Sequence, residues 1–150
     1  MADDGSVEAV STWPLVQFQF MVKVDDTEFF FQEVSGLSTE HSVIEYRVGH
    51  WKTFSVIKMP GIKKYNNVTM KKGVYKGDLA MHKLHETIQL NIYKRSTVII
   101  SLLDETQAPV MTWTLSNAFP IKMTYPDMKS DNSAAAIETI DWAFETLTLT

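Results

Sequence analysis

The chain has no cysteine in its 150 residues. That removes disulfide staples, thiolate zinc sites, thiol nucleophiles and redox pairs, although it assigns no compartment. Glycine is scarce, at six, and never clusters, so no loop is built to cradle a phosphate. No apolar run approaches the ~20 residues a membrane-spanning helix needs. The opening segment MADDGSVEAVSTWP is acidic and lacks the basic start and apolar centre of a secretory signal. The reading is a soluble chain. The signatures HExxH and GxSxG, the P-loop and GxGxxG are also missing. The length fits one domain, residues 1–150, able to remove roughly 70% of its unfolded surface from water without a staple. Residues 1–12, small and polar, are expected to form an N-terminal arm, flexible or ordered by a neighbour.

The net charge of −4 conceals a division. Between Arg47 and Lys83 stand nine basic residues (Arg47, Lys52, Lys58, Lys63, Lys64, Lys71, Lys72, Lys76, Lys83) and one acid, Asp78. The remainder carries five basic residues against seventeen acids. One reading is a set of solvated loops and a polar strand face. The other is complementarity between two surfaces of the same molecule, which suits head-to-tail assembly into open filaments. Nucleic-acid binding is the weaker option, because the chain is acidic overall and no binding motif accompanies the lysines.

Hydrophobic periodicity predicts a mainly β chain. Phe18, Phe20, Val22 and Val24 alternate with polar residues on a first strand. Asp25-Asp26-Thr27 supplies a turn, and 28–34 returns as the second strand. Ser35-Gly36 breaks it, and 37–48 reads as a long third strand with Ile44, Tyr46 and Val48 on one face. Residues 49–65, with Gly49, Pro60 and Gly61, read as a loop or long hairpin connection that backbone pairing cannot run through. Trp51, Phe54, Ile57 and Met59 make it too apolar for a solvated loop, so it should pack on something. Alternation resumes at 67–74, with Val68 and Met70 opposed to Thr69 and Lys71. One helix follows Gly77, with Asp78 as N-cap and an end near 91–94. Residues 97–103 and 110–118 form a hairpin about Asp104–Gln107, and the ambiguous stretch 134–150 is assigned to strand on its Thr, Ile, Trp and Phe content. The sum is an antiparallel β-barrel or sandwich of six to seven strands with one α-helix.

No constellation for chemistry emerges. His82 and His85 have metal-compatible spacing on the helix, but no third ligand is placed beside them, and Glu86 is expected to point elsewhere. Asp104-Glu105 reads as a turn. Trp51, Trp113 and Trp142 are either core and interface anchors or the wall of a ligand pocket. Neither a metal nor an organic cofactor is expected, and no catalytic residue is assigned.

Three phrases in fixed order, FFFQEVSGL at 29–37, KMPGIKKYNNVTMKKGV at 58–74 and MTWTLSNAFP at 111–120, resemble the tail-tube family of T4-type phages and contractile injection systems. IEYRVG and the closing AIETIDWAFE extend the likeness from Phe18 to Leu149. HWKTFSVI at 50–57 is bulkier than the family's usual connection, and Trp142-Ala143-Phe144 is less polar than its counterparts.

The resemblance implies a structural subunit with no enzymatic step. Six copies would form a ring with one continuous inner barrel. Rings would stack into a hollow tube, and a contracting sheath would drive it through a target envelope. The implied partners are further copies of the chain, a sheath protein, baseplate and tube-cap proteins, and a lumenal cargo of effector protein, or DNA in a phage. Assembly in a bacterial cytoplasm would precede use in a phage tail or injection particle. The residues expected at inter-subunit and ring-stacking contacts are Trp51, Phe54, Ile57, Lys58, Lys63, Lys64, Lys71 and Lys72. A tube initiator or secreted ring protein of the same fold is the nearest alternative. A small ligand-binding β-barrel using the tryptophans is the alternative from another class.

Overall fold

The computed structural model describes residues 15, 17–88, 94–131 and 133–150. The expected 1–12 arm and most of the expected end of the helix lie outside them. The described residues form ten strands: β1 (Phe20–Val24), β2 (Thr27–Phe29), β3 (Glu33–Ser35), β4 (Thr39–Tyr46), β5 (Ile57–Tyr65), β6 (Val68–Gly73), β7 (Ser96–Leu103), β8 (Pro109–Thr124), β9 (Ile137–Ala143) and β10 (Thr146–Leu149). One helix, α1 (Ala80–Glu86), is seen among the described residues.

The fold is mainly β and antiparallel, as the periodicity implies. The count exceeds six to seven because bends cut long strands into pieces. One sheet runs β2-β1-β7-β8-β9-β6-β3, with β10 also on β8. Its two ends, β2 and β3, are consecutive in the chain and separated only by residues 30–32, so the path returns on itself. The Gln32 amide donates to Lys71 O at 2.7 Å and holds that link against β6. Strands β9 and β10 run along β8 in one register on both sides of the break at 144–145. At the same corner β8 bends through Asn117, which has φ 54°. Asn117 Nδ2 donates to Glu145 Oε2 at 2.9 Å, and Arg95 pairs with the other oxygen of that carboxylate.

Alternation decides what the closed path encloses. Val22, Val24, Val98, Ile100 and Leu115 from one side meet Val68, Met70, Ile140 and Trp142 from the other, and Met81 of α1 joins them. Phe20 packs at the margin, but Phe18 precedes the strand and is exposed, contrary to its expected place on that face. The turn reading of Asp104 holds. Its Oδ1 accepts from the Thr106 amide and hydroxyl and from the Ala108 amide, at 2.9, 2.7 and 2.8 Å.

Lys72 departs from the sequence expectation. It shares parity with Val68 and Met70 on β6, so it points inward and is only 3% exposed. Its Nζ donates to Asp78 Oδ2 at 2.6 Å and lies 3.0 Å from Glu138 Oε1 on the neighbouring strand. Asp78 is therefore chiefly the partner of Lys72 and not a helix cap. The N-cap position is Leu79, which makes no side-chain cap bond, and Asp78 Oδ1 sits 3.4 Å from the Ala80 amide. Burial opposes the charge on Lys72, but the hydrogen bonds and fields of Asp78 and Glu138 outweigh it and raise its pKa. The hydrogen bond from Lys72 is the main cause holding the Asp78 carboxyl below its ordinary 3.8, against the opposing effect of burial.

The pH dependence follows from these directions. The contribution of Asp78 is complete above about pH 4 and is lost as pH falls through its depressed folded value. That of Lys72 is complete at neutral pH and is lost only in strong alkali, as pH rises through its raised value. Lys72→Met leaves two carboxylates without their cation and is expected to destabilise the fold by about 3 kcal/mol in chemical denaturation. Asp78→Asn should flatten the loss of thermal stability that the parent protein shows below about pH 4.

Candidate assembly surface

The segment read as a loop that could not pair is in fact half of a hairpin. Strands β4 and β5 form a separate two-stranded sheet. Pro60 sits opposite Val43 within its ladder, which corrects the expectation that Pro60 and Gly61 would prevent pairing. An outer edge of a two-stranded ribbon needs no partner for a missing N–H, so proline is tolerated there. Between the pairs His41–Lys63 and Val43–Pro60, Gly61 and Ile62 together oppose the single residue Ser42, which makes a bulge. A Cβ on Gly61 would lie 2.6 Å from Ser42 Oγ, so glycine lets the strands stay close.

This arm is continuous with the body. Strand β3 runs into β4 and β5 into β6, and the register is the same on both sides of the junction. The bend occurs at Gly36, with φ 91°. A Cβ there would meet Asn67 O at 2.4 Å, so both the torsion and the space demand glycine. Asn66 Nδ2 donates to Ser38 Oγ at 2.7 Å across the bend. Tyr65 packs on Phe144 with ring centroids 5.4 Å apart and ties the root of the arm to the barrel.

Beyond that root the arm is solvated on every side. Cross-strand pairing puts Ile44, Tyr46, Ile57 and Met59 on one face, each between 49% and 59% exposed. The opposite face carries the Glu45–Lys58 ion pair at 3.8 Å, Val43 and Pro60. At the tip Trp51 meets Tyr46 edge-on at 6.4 Å. Arg47 organises the turn: its Nη2 donates to Trp51 O and Thr53 O, both at 3.2 Å, and its guanidinium lies 5.7 Å from the Phe54 ring centroid. Phe54 itself is 97% exposed.

The expected contact residues therefore separate. Trp51, Phe54, Ile57 and Lys58 gather on the outer half of the arm. Lys63, 5.4 Å from the Tyr65 ring centroid, and Lys64, opposite Glu40, lie near its root. Lys71 is on the outside of the barrel, 3.5 Å from Glu33. Lys72 is inside and does not belong to any surface. Arg47 escaped the sequence reading, although its place between an alternating strand and an aromatic-rich turn was the available signal.

The tryptophans do not converge on a pocket. Trp142 is core, Trp113 packs beside it, and Trp51 is on the arm. Among the described residues no group of three or more His, Cys, Asp or Glu could hold a metal, and no helix is long and apolar enough to cross a membrane. His82 has partners the sequence did not suggest. Its Nε2 lies 2.9 Å from Glu86 Oε1 and its Nδ1 2.5 Å from the Tyr125 hydroxyl, so Glu86 faces it after all.

The described residues form a filled barrel with a protruding, half-apolar ribbon. The comparisons name the family. The family model for the T4-like virus tail tube protein gp19 matches residues 16–148, and the chain belongs to that family of tail tube proteins. It is similar to a chain in the sheath–tube complex, in the extended state, of the extracellular contractile injection system PVC. There it is 31% identical over 97% of each chain, with a TM-score of 0.89. Against the PVC sheath/tube terminator it is 32% identical over 92% of this chain and 97% of that one, at 0.86. Against the tube-terminating cap of the anti-feeding prophage it is 31% identical over 93% and 92%, at 0.86. Hcp1 from Flavobacterium johnsoniae, at 10% identity over 88% and 94% and a TM-score of 0.55, shares the fold. No curated protein matches the chain in sequence.

Because Phe54 buries nothing in its own subunit, Phe54→Ala should change monomer stability by less than about 0.5 kcal/mol. Arg47→Ala should also leave the melting temperature in place. It should nevertheless speed hydrogen exchange at the Trp51 amide, which donates to Val48 O, by about tenfold through loss of the bonds that fix the turn.

Proposed function

We propose that the chain is the repeating subunit of the inner tube of a contractile injection system. In this reading six copies form a ring and rings stack into a hollow tube. The observation that carries it is the arm. An isolated two-stranded ribbon is marginal in water, and this one adds an apolar face and two unpaired edges. A sheet edge of that kind is satisfied by another strand. In a ring, the arm of one copy lies against the next, so that the strands β3, β6 and β9 continue from subunit to subunit as one closed wall. Full burial of Ile57 or Phe54 would contribute about 1.5–3 kcal/mol each.

Family membership supports the tube, and the similarity above 30% to injection-system chains favours that setting over a phage tail. A sheath protein would surround the tube, baseplate and cap proteins would close its ends, and an effector cargo would pass through the lumen after assembly in the bacterial cytoplasm. The protein's part is mechanical: its task is to be rigid and continuous, and no residue is assigned a bond-making role.

Negative-stain microscopy of the purified protein, alongside light scattering, tests this. Rings or tubes are expected, and a uniform monomer of 17.1 kDa at high concentration and low salt would overturn the reading. The paired substitution Ile44→Glu with Met59→Glu should leave a folded monomer that makes no rings. Reversing Lys63 and Lys64 to Glu should shift the salt dependence of assembly, because both cations are exposed.

A further inference from the structure

The arm tip presents a knob, and another part of the same chain holds an open cleft. Between β8 and β9, residues Pro126, Met128, Ala134, Ala135, Ala136 and Ile137 line most of a cleft of about 620 Å³. The consecutive alanines leave room that larger side chains would fill. The Val74 amide donates to Ala136 O at 3.0 Å, which pins that wall to the end of β6. Met128 is 92% exposed at the lip. A flexible thioether so placed can close over an aromatic ring and make a favourable sulfur–ring contact.

Phe54 is the matching group. It is held out by the turn that Arg47 organises, and its near-complete exposure means it does not occupy the cleft of its own chain. Charge favours the same pairing. From Arg47 to Tyr65 the chain carries five cations (Arg47, Lys52, Lys58, Lys63, Lys64) and no acid. Around the cleft Asp127 and Asp131 stand against Lys129, while Glu138 is turned inward to Lys72 and takes no part. Opposite charges on the two surfaces steer and orient encounter.

We infer that Phe54 of one copy seats in the cleft lined by Pro126, Met128 and Ala134–Ile137 of the next, as an aromatic anchor whose cationic arm comes to lie beside Asp127 and Asp131. This rests on the tube reading and gives it a specific contact. Knob and cleft are different surfaces of one chain, so the contact is head-to-tail and propagates from copy to copy. It also explains why Arg47 fixes the turn in the free subunit: an anchor already held in its bound position loses less freedom on docking.

The absence of cysteine makes the test direct. Thr53→Cys combined with Ala135→Cys places two thiols at exposed positions and keeps the Phe54 ring in place. After assembly and mild oxidation, a ladder of covalent oligomers that collapses on reduction is expected. Mixing the two single variants should give a cross-linked dimer. The control pair Thr53→Cys with Thr148→Cys should give no ladder. Tubes or rings on the grid with no ladder, or equal linking to position 148, would overturn the contact and leave the tube intact. A protein that stays monomeric and unlinked would overturn both readings.

Discussion

Backbone hydrogen bonding is the constraint on which the rest depends. Five strands along the path, β1, β7, β8, β9 and β6, are paired on both sides, and the end strands β2 and β3, paired on one side each, are joined by a three-residue link. Strands β4 and β5 are left with each other alone. They leave the barrel as extensions of β3 and β6, in the same register, after one glycine bend at Gly36. The bend is forced by backbone geometry, since the approach of Asn67 O excludes any Cβ. Once the ribbon departs, no element among the described residues covers its edges or its apolar face. The structure is locally complete at the core and leaves the arm exposed.

The buried Lys72 clarifies the charge division seen in the sequence. A uniform basic stripe would suggest one docking surface, but the cations of 47–83 do different things. Lys72 is spent inside the barrel, on Asp78 and Glu138, where paired carboxylates stabilise a charge that burial alone would oppose. Lys58 and Lys71 are in exposed ion pairs that add little to stability. Arg47 is used on backbone carbonyls and a ring face at the tip. The net positive field of the arm is real, but its sources have separate tasks, and only those remaining in water can meet a partner.

Much of the body was legible in the chain because the side-chain period of a strand survives in any context. Val22 and Val24, Val68 and Met70, and Ile140 and Trp142 were each on the expected parity. The same parity placed Lys72 inward, yet residue type outweighed position in that case. The helix start was misassigned for a related reason: Asp78 has the right chemistry for a cap, and a stronger electrostatic partner claimed it. Residues 49–65 were read as unpaired because Pro and Gly interrupt central strands, and a ribbon with free edges escapes that rule. Their apolar side chains, expected to pack on something, find no cover among the described residues.

The sequence by itself determined the β character, the alternation that selects the core, the turn at Asp104, and the likeness to tail tube proteins carried by its phrases. These are local properties, set by side-chain type and by spacing along one strand. Tertiary structure decided where the long strands bend, which partners claim Lys72, Asp78 and His82, and that Arg47 fixes the turn presenting Phe54. Those outcomes depend on contacts between residues far apart in the chain, such as Lys72 with Glu138 or Gly36 with Asn67. Such contacts exist only after the path has closed and the space around each group is defined.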